Sequence, residues 1–445
     1  MAYSSKDGKK PFEHASRTSH THILNDDAVQ KFLSRCVLPK KAEDIDFNVC
    51  DSRKINSPEG DDIQFIVAID GGSTTAVVQK EFPSSVLQFF QFGALRFSVT
   101  DLEGLERKPF IDPDDMAKLK NIQRLKLVLP IRNMSLEEGV SLTDSVRRAM
   151  YEFFCDELGE DDTLMKTLSW LIFQEYQEGG DEWMLASCPS CGATKIPLSR
   201  AKMKSNHTFD CTECSEVIFL TDVFRLHEAI DDDIGAGGIV GYVLTSVEQI
   251  ILIHLIRLIL MMQPKLLKQI LFIKDGPLAF FGQTANMHKP VRSLVKFLFE
   301  RHDLFMAGLE KSGGFVEHAD EIQRKLEAGT ILVLNNKYIY TYITPGKADE
   351  SAPYGSTSYY SNKVIFKSMD GRLYVVTIPT DELLKEPAIT KLKNIDVILD
   401  NVAKLKCDMY DNALVPVALA NKLVSLANHP SSRILQQFAI DKVKG

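Results

Sequence analysis

The sequence predicts an α/β protein with a cysteine-rich insertion. Short, strongly apolar segments typical of buried strands occur at residues 63–69 (IQFIVAI) and 271–274 (LFIK). Longer segments with apolar residues at helical spacing lie between and after them, and residues 181–222 contain two CxxC pairs. A chain of 445 residues is long enough to bury a large core around such a sheet.

The first 62 residues are predicted to be an N-terminal extension. Residues 1–22 lack the apolar core of a signal peptide. They are polar and lie at the terminus, so we expect them to be partly mobile. Residues 26–38 have helical spacing, whereas residues 40–62 are charged and typical of a linker. The remaining chain is expected to form a first part of the core, the insertion and a second part of the core, at residues 63–180, 181–222 and 223–445.

The first part of the core is expected to begin with three strands in quick succession. Residues 63–69, 75–80 and 85–99 favour an antiparallel meander, and the third segment is long and aromatic. Its phenylalanines are predicted to lie in the core or on a dimer face, and they are Phe89, Phe90, Phe92 and Phe97. A long helical region is predicted over residues 142–176.

The second part of the core alternates between helical and strand patterns. Helices are predicted at residues 245–262, 289–300 and 317–327, and through much of 391–442. Strands are predicted at residues 271–274 and 304–309, with β-rich segments at 331–343 and 363–378. A polar loop at 347–362 separates the β-rich segments and ends in YGSTSYYSN, which either lines a nucleic-acid groove or is an ordinary flexible loop.

Composition excludes several classes of protein. Apolar residues at 44% and charged residues at 25% exclude a disordered chain, a collagen-like repeat and a coiled-coil rod. A net charge of −8 excludes a uniformly basic protein that coats nucleic acid, but it permits a local basic groove. The most apolar stretch, residues 247–262, is interrupted by His254 and Arg257 and is shorter than the roughly 18 residues of a membrane span, so we expect a buried helix and no membrane association.

The four cysteines of the insertion form the most specific motif. Cys188 and Cys191 are separated from Cys211 and Cys214 by 19 residues, which fits a zinc ribbon in a reducing cytoplasm. Four thiolates leave no open coordination position, so the Zn²⁺ is predicted to be structural. Gly192 suits a tight turn with positive φ. Basic residues between the pairs leave open whether the ribbon binds nucleic acid, binds a partner or only stabilises the insertion, and they are Lys195, Arg200, Lys202 and Lys204.

Two apolar strands end in an aspartate followed by glycine. Asp70 ends IVAID before Gly-Gly-Ser-Thr, and Asp275 ends LFIKD before Gly-Pro-Leu. Each alone is compatible with an ordinary Asp-Gly turn. If the two strands are neighbours in one sheet, however, the carboxylates converge and can bind Mg²⁺ or Mn²⁺, which prefer oxygen ligands. Such metals activate water and stabilise the leaving oxygen in phosphodiester hydrolysis.

A third carboxylate and a cation are needed to complete such a site. Glu248, near the start of the apolar helix, is the first candidate for a third ligand, with Glu175 and Glu228 as competitors. Lys311, after the strand at 304–309, is placed to reach a scissile phosphate. His254 and Arg257 are expected to be interior groups, with Arg257 paired to a buried acid.

The order of these motifs resembles that of the NurA nucleases. IVAIDGGST, a long aromatic hairpin, LFIKDGPL and LFMAGLEKSGG follow one another over roughly residues 63–430, with the cysteine insertion as an addition. The resemblance implies an RNase H-like mixed sheet flanked by helices, and a homodimeric metal-dependent DNA nuclease that acts with the ring-shaped translocase HerA. It also implies 5′-to-3′ exonuclease action in DNA end processing, or a role in defence against phage.

The resemblance assigns roles to particular residues. Asp70, Asp275 and Glu248 would be ligands of the catalytic Mn²⁺ or Mg²⁺, and Lys311 would be the basic residue near the phosphate. The family's C-terminal Tyr and His correspond to Ala413 and Asn421 here. Asparagine can ligate a metal through its carbonyl oxygen but cannot act as a base near neutral pH, so Asn421 departs from the family pattern. A basic DNA channel would be lined by Arg96, Lys289, Arg292, Lys296 and Lys311.

Two other functions fit parts of the sequence. An actin-like phosphotransferase or ATPase would use Asp70-Gly-Gly-Ser-Thr as a phosphate loop and the glycine-rich residues 235–241 for the nucleotide. The proline in Asp275-Gly-Pro weakens this alternative because it removes a backbone donor. A non-catalytic zinc-ribbon adaptor for a translocase is the other alternative, and the change to Asn421 is compatible with it.

Overall fold

The computed structural model describes residues 19–38, 40–56, 62–100, 123–158, 162–344, 346–408, 410, 413–426 and 430–444. The chain divides into two units, Met1–Ile45 and Asp46–Gly445. The first unit contains two short helices, α1 (Ser19–Leu24) and α2 (Asp27–Leu33), and the Asp26 carboxylate caps α2 by accepting the Val29 N–H at 3.0 Å. α2 ends earlier than the predicted helix over 26–38, and the mobility predicted for residues 1–18 concerns residues outside this description.

In its described residues, the second unit is built around one mixed sheet of nine strands. The strands are β1 (Asp51–Lys54), β2 (Phe65–Gln79), β3 (Ser85–Ser98), β4 (Gln123–Arg132), β9 (Ile270–Asp275), β10 (Phe305–Glu310), β11 (Thr330–Val333), β12 (Ser361–Lys367) and β13 (Leu373–Pro379). Their order is β1-β11-β12-β13-β10-β9-β2-β3-β4. Four shorter strands form two hairpins of the insertion, and they are β5 (Glu182–Ser187), β6 (Thr194–Ser199), β7 (Thr208–Asp210) and β8 (Val217–Phe219).

Three parallel strands form the centre of the sheet. β2, β9 and β10 run in the same direction, whereas every other pair of neighbours in the sheet is antiparallel. β9 and β10 are almost fully buried, as expected for parallel strands covered on both faces. The carboxyl ends of these central strands therefore share one edge of the sheet.

Helices cover both faces of this sheet. The helices of the second unit are α3 (Leu142–Cys155), α4 (Leu164–Ile172), α5 (Val240–Met262), α6 (His288–Arg301), α7 (Gly314–Ile322), α8 (Asn336–Tyr342), α9 (Ile395–Lys404), α10 (Val415–Val424) and α11 (Ser431–Lys444). One core contains α3 to α6, the insertion and the sheet residues Val67 and Ile69. The other contains α9, α10 and the alternate sheet residues Ile66 and Ala68, because successive side chains of a strand point to opposite faces.

The aromatic hairpin differs from the predicted three-strand meander. The two segments 63–69 and 75–80 form one continuous strand, β2, and Asp70 lies inside it rather than at its end. β3 pairs with β2 along nearly its whole length, from Phe65–Ser98 to Gln79–Ser85, so the glycines do not interrupt the strand. All four predicted phenylalanines are at most 9% exposed and belong to the core, and they are Phe89, Phe90, Phe92 and Phe97.

Several other element boundaries differ from the sequence prediction. The helical region 142–176 is divided into α3 and α4, and the segment 331–343 contains the strand β11 followed by the helix α8 rather than continuous β structure. Asn335 explains the change, because its side chain accepts the Tyr338 N–H at 2.9 Å and caps α8. Residues 51–54 lie within the predicted linker, but they pair with β11 as the edge strand β1.

The apolar helix α5 is longer than predicted and lies in the core. It begins at Val240, so the helical segment 237–262 is long and apolar enough to cross a membrane by composition, but 67% of its most apolar window is buried inside the protein. The two residues that interrupt its apolar sequence, His254 and Arg257, both have interior partners. His254 Nδ1 lies 2.8 Å from the Thr167 hydroxyl, and Arg257 pairs with Asp162 at 2.9 Å, as predicted for interior groups.

Candidate active site

Asp70 and Asp275 lie side by side at the carboxyl edge of the central strands. β2 and β9 are parallel neighbours whose register pairs Ile69 with Lys274, so the next residues on the two strands are Asp70 and Asp275. By strand alternation both carboxylates point to the face that α10 covers, because Ala68 and Ile273 of that face precede them by two residues. The structure therefore brings together the two aspartates that the sequence singled out.

The Asp70 carboxylate is buried and incompletely bonded. Its residue is 4% exposed, and Oδ1 accepts the Gly71 N–H at 2.8 Å. Oδ2 is buried and accepts no hydrogen bond of normal geometry from the described residues. Burial, together with repulsion from Asp275 and Glu248, raises the pKa of Asp70 to about 7, although Lys311 and the Asn421 side chain each lower it.

Glu248 is also buried, but it forms an ion pair on the opposite side of the sheet. It lies in the third turn of α5, not at the helix start, and its Oε2 is 2.8 Å from Lys274 Nζ. The same ammonium donates to the Asp275 backbone carbonyl at 2.6 Å. Burial raises the pKa of Glu248, which the nearby Lys274 ammonium opposes. Glu248 thus contacts the site through Lys274 and the backbone of Asp275.

The two glycines after Asp70, Gly71 and Gly72, leave room for a different helix on each face of β2. A Cβ on Gly71 would lie 2.9 Å from Glu248 Oε1, and a Cβ on Gly72 would lie 2.2 Å from the Val424 carbonyl oxygen. The sequence pattern alone is typical of glycines that let a phosphate or metal approach the backbone. In the structure they allow α5 and α10 to approach it closely, which sets the positions of Glu248 and of the C-terminal end of α10.

The C-terminal end of α10 is fixed against the hairpin beside Asp70. Gln91 Nε2 donates to the Leu423 carbonyl at 2.9 Å, and a Cβ on Gly93 would meet the side chains of Leu423 and Val424. This docking places Asn421 near enough to Asp70 to lower its pKa. Ala413 is buried and contributes no polar side chain.

Gly72→Ala should therefore destabilise the protein and disturb the site. The added Cβ would collide with a backbone oxygen, and overpacking of this kind costs about 1–3 kcal/mol. Chemical denaturation should show this loss in the free energy of unfolding. Gly241→Ala is the matched control, because no atom lies within 4 Å of the position that its methyl group would take, and unchanged or greater stability is expected there. Equal stabilities for the two variants would contradict the close approach of α10.

The lysine predicted to reach a phosphate contacts one of the two aspartates, Asp275. Lys311 follows β10, and its Nζ lies 2.7 Å from Asp275 Oδ2, with the side chain 27% exposed. Lysine ammonium groups therefore lie beside two of the three predicted carboxylate ligands, Glu248 and Asp275. The competing acids lie elsewhere, because Glu175 contacts Ser169 and Arg200 whereas Glu228 contacts Arg225 and Ser187.

Where the other basic residues predicted to bind DNA make contacts, these are with groups outside the pair Asp70 and Asp275. Arg292 is half-buried and donates to the Tyr359 carbonyl, and Lys296 lies 4.0 Å from Glu300 on the same helix. Arg96 stacks 4.7 Å over the Phe65 ring, and Lys289 is exposed. The polar loop is packed at its end, where Tyr359 and Tyr360 are buried, whereas residues 347–352 are exposed.

Three residues that the sequence did not predict also contribute to the site, and they are Lys274, Gln91 and Gly93. Lys274 is the residue before Asp275 in a strand that is otherwise apolar, and a charged residue inside such a run is a signal for a buried partner. Gln91 and Gly93 lie within the aromatic segment of β3 and belong to no local motif. Their roles depend on a helix more than 300 residues later, as the separation of 332 between Gln91 and Leu423 shows.

The four cysteines of the insertion converge more tightly than the carboxylates. Within the described part of the chain they are the only group of three or more Cys, His, Asp or Glu side chains whose ligand atoms all lie within 4.8 Å of one another. Asp70, Asp275 and Glu248 do not form such a group. They are linked instead by strand pairing, mutual repulsion and the two lysines.

Comparison with known proteins gives weak structural likenesses. No protein-family model and no curated protein matches the chain. The NurA nuclease from Sulfolobus solfataricus aligns over 96% of this chain and 95% of its own at 10% identity, with a TM-score of 0.33. A structure of NurA with manganese aligns over 88% and 91% at 10% identity, with a TM-score of 0.29.

Proposed function

We propose that this protein is a divalent-metal-dependent deoxyribonuclease whose catalytic centre is the pair Asp70 and Asp275. The observation that carries the proposal is the position of these carboxylates on adjacent parallel strands at one sheet edge. A metal would fit there, because Asp70 Oδ2 is buried and accepts no hydrogen bond of normal geometry from the described residues. The Asp70 and Asp275 carboxylates also repel each other, and this repulsion helps to raise the pKa of Asp70. A cation bound between them would relieve it.

Asp70 and Asp275 would hold Mn²⁺ or Mg²⁺, and the amide oxygen of Asn421 is available as a neutral third ligand. Such an ion supplies Lewis-acid stabilisation of a scissile phosphodiester when it is bound. Lys311 would exchange its contact with Asp275 for the phosphate, because its side chain is partly exposed and flexible. Glu248 would position the site through Lys274, which anchors the Asp275 backbone.

The finer properties in this proposal come from the NurA resemblance. They are an RNase H-like core, homodimerisation, cytoplasmic location, 5′-to-3′ exonuclease action with additional endonuclease action, and work with a HerA-like hexameric ATPase in DNA end processing or phage defence. The central strands β2, β9 and β10, bounded by the antiparallel β3, support the RNase H-like core. Asn421 in place of the family histidine supports a centre that relies on metal-bound chemistry without a histidine base.

The phosphotransferase alternative is less well supported by the loops that it requires. The Gly235 and Ala236 N–H groups donate to the Asp231 and Ile131 carbonyls at 2.7 Å. After Asp275, the Gly276 N–H donates to the Leu309 carbonyl and Leu278 N–H to the Thr377 hydroxyl. A phosphate cradle needs unbonded N–H groups, and these loops use theirs internally.

Digestion of end-labelled linear DNA tests the proposal. Single- and double-stranded substrates would be incubated with Mn²⁺, Mg²⁺ or no added divalent ion, using the protein alone and with a HerA-like ATPase. Metal-dependent shortening that is lost in Asp275→Asn would support a nuclease centred on this pair, and the product ladder would give the polarity. No cleavage under any condition, including with the ATPase, would exclude the nuclease and favour the adaptor.

A further inference from the structure

The four sulfurs of the insertion have the spacing of a tetrahedral metal site. The sulfur atoms of Cys188 and Cys214 are 3.9 Å apart, as are those of Cys191 and Cys211. Zn–S bonds of about 2.3 Å require an S–S edge of about 3.8 Å in a regular tetrahedron. A disulfide would need about 2.05 Å, and all four cysteines are free.

The two CxxC turns have matching backbone geometry. The Gly192 N–H donates to the Cys188 carbonyl at 3.0 Å, and the Ser215 N–H donates to the Cys211 carbonyl at 3.0 Å. Gly192 and Ser215 both have positive φ, at 72° and 64°. A left-handed conformation is unfavourable for serine, so its use here indicates that the second turn is held in shape for its sulfurs. The Glu213 N–H also points at Cys211 Sγ, at 3.4 Å.

The inner surface of the insertion is continuous with the core of the sheet. Leu185, Ile196, Phe209 and Ile218 are at most 3% exposed and pack in the same apolar core as Ile69 of β2. That core also contains most of α5, the helix that carries Glu248. The insertion is therefore not a separate appendage, and its inner residues help to bury the helices that support the catalytic edge.

A buried ion pair joins the insertion to α3. The Arg147 guanidinium binds both oxygens of Asp222 at 2.9 Å and donates to the Val217 carbonyl at 2.9 Å. Both side chains are at most 6% exposed. Loss of the geometry around β8 would leave the buried Arg147 with only the half-exposed Asp144, 2.6 Å away on the same helix, as a charged partner, which is unfavourable. This contact links the shape of the ribbon to the stability of the layer beneath it.

We propose that Cys188, Cys191, Cys211 and Cys214 bind one Zn²⁺, and that this ion is required for folding of the whole layer formed by α3 to α6 and β2 to β4. Closed four-thiolate coordination makes the ion structural rather than catalytic. Because the ribbon shares its core with this layer, removal of zinc should release more than the ribbon. This inference is independent of nuclease activity, since its measurements do not involve DNA.

The first test is metal content and coordination in the full-length protein. Elemental analysis should give one Zn²⁺ per chain, and Co²⁺ substitution should produce the visible absorption bands of tetrahedral thiolate coordination. Cys188→Ser should lose the metal and lower the melting temperature by at least about 10 °C. Cys407→Ser is the matched control, because Cys407 is 1% exposed and Cys188 is 2% exposed, but Cys407 is not in the cluster. Metal-free parent protein, or equal losses in both variants, would overturn the site.

Hydrogen exchange measures how far the effect of zinc extends. The parent protein would be compared before and after treatment with a zinc-selective chelator, so the result does not depend on whether Cys188→Ser folds. We expect loss of amide protection in α3 to α6 and β2 to β4 as well as in the ribbon, with smaller changes in β11 to β13. Loss confined to residues 181–222 would overturn the proposed coupling.

Discussion

Asp70→Asn is expected to lower metal-dependent DNA cleavage by at least about 100-fold while the chain remains folded. The substitution keeps the shape of the side chain but removes the charge that a divalent ion needs. Several kcal/mol of metal-derived transition-state stabilisation would be lost, at about 1.4 kcal/mol per tenfold in rate. Initial rates on end-labelled DNA with saturating Mn²⁺ measure the effect.

The same substitution should make the protein more stable without Mn²⁺ or Mg²⁺. In the folded protein the pKa of Asp70 is about 7, above the unfolded value of about 3.9, so folding favours the protonated carboxyl. This contribution is present below about pH 4 and is lost as the pH rises through 7. At pH 8, Asp70→Asn should therefore exceed the parent by on the order of 4 kcal/mol in the free energy of unfolding, and near pH 4 the difference should be small.

A surface aspartate provides the control for this variant. Asp210 pairs with Lys204 at 2.6 Å and its side chain is 52% exposed, so Asp210→Asn should change stability by less than about 1 kcal/mol at either pH. Cleavage by Asp210→Asn should equal that of the parent. If Asp70→Asn also cleaved at the parent rate, Asp70 would not be an essential ligand.

Glu248→Gln should destabilise the fold by about 3–5 kcal/mol. It leaves the Lys274 ammonium, whose side chain is 4% exposed, without its charged partner in the core. Lys274→Met alone should cost a comparable amount, because Glu248 would then be the uncompensated charge. The double variant Glu248→Gln, Lys274→Met removes both charges and should recover most of the lost stability, as denaturant unfolding of all four proteins would show.

The double variant also separates two roles of Glu248. If Glu248 positions the site through Lys274, the refolded double variant should bind Mn²⁺ within about tenfold of the parent and retain measurable cleavage. A stable double variant that binds no Mn²⁺ would instead identify Glu248 as a direct ligand. Failure of the double variant to regain stability would show that the ion pair is not the main role of these side chains.

The strand positions of Asp70 and Asp275 were predictable from local sequence, because each aspartate follows an apolar run typical of a buried strand. Their convergence also required the two strands to be parallel neighbours, which the sequence left as a condition and the structure shows. The ligand spacing of the four cysteines was likewise predictable from local sequence, since each CxxC turn is determined by adjacent residues. The structure gathers all four sulfurs as that spacing indicates.

The partners of the site were not predictable because they are distant in the chain. Lys274 pairs with Glu248 across a helix–sheet contact, and no sequence pattern around either residue predicts this pairing. Gly71 and Gly72 have the composition of a phosphate loop, but the strand continues through them because β3 pairs with both. Their function as spaces for α5 and α10 depends on packing that periodicity does not encode.

Direct measurement of Mn²⁺ binding tests the central claim most simply. Isothermal titration of the zinc-loaded protein with Mn²⁺ would be compared for the parent, Asp70→Asn, Asp275→Asn and Asp210→Asn. Binding should be present in the parent and in Asp210→Asn, and it should be lost or weakened at least about 100-fold in the two site variants. Binding that is absent from the parent, or unchanged in both site variants, would contradict a metal centre formed by Asp70 and Asp275.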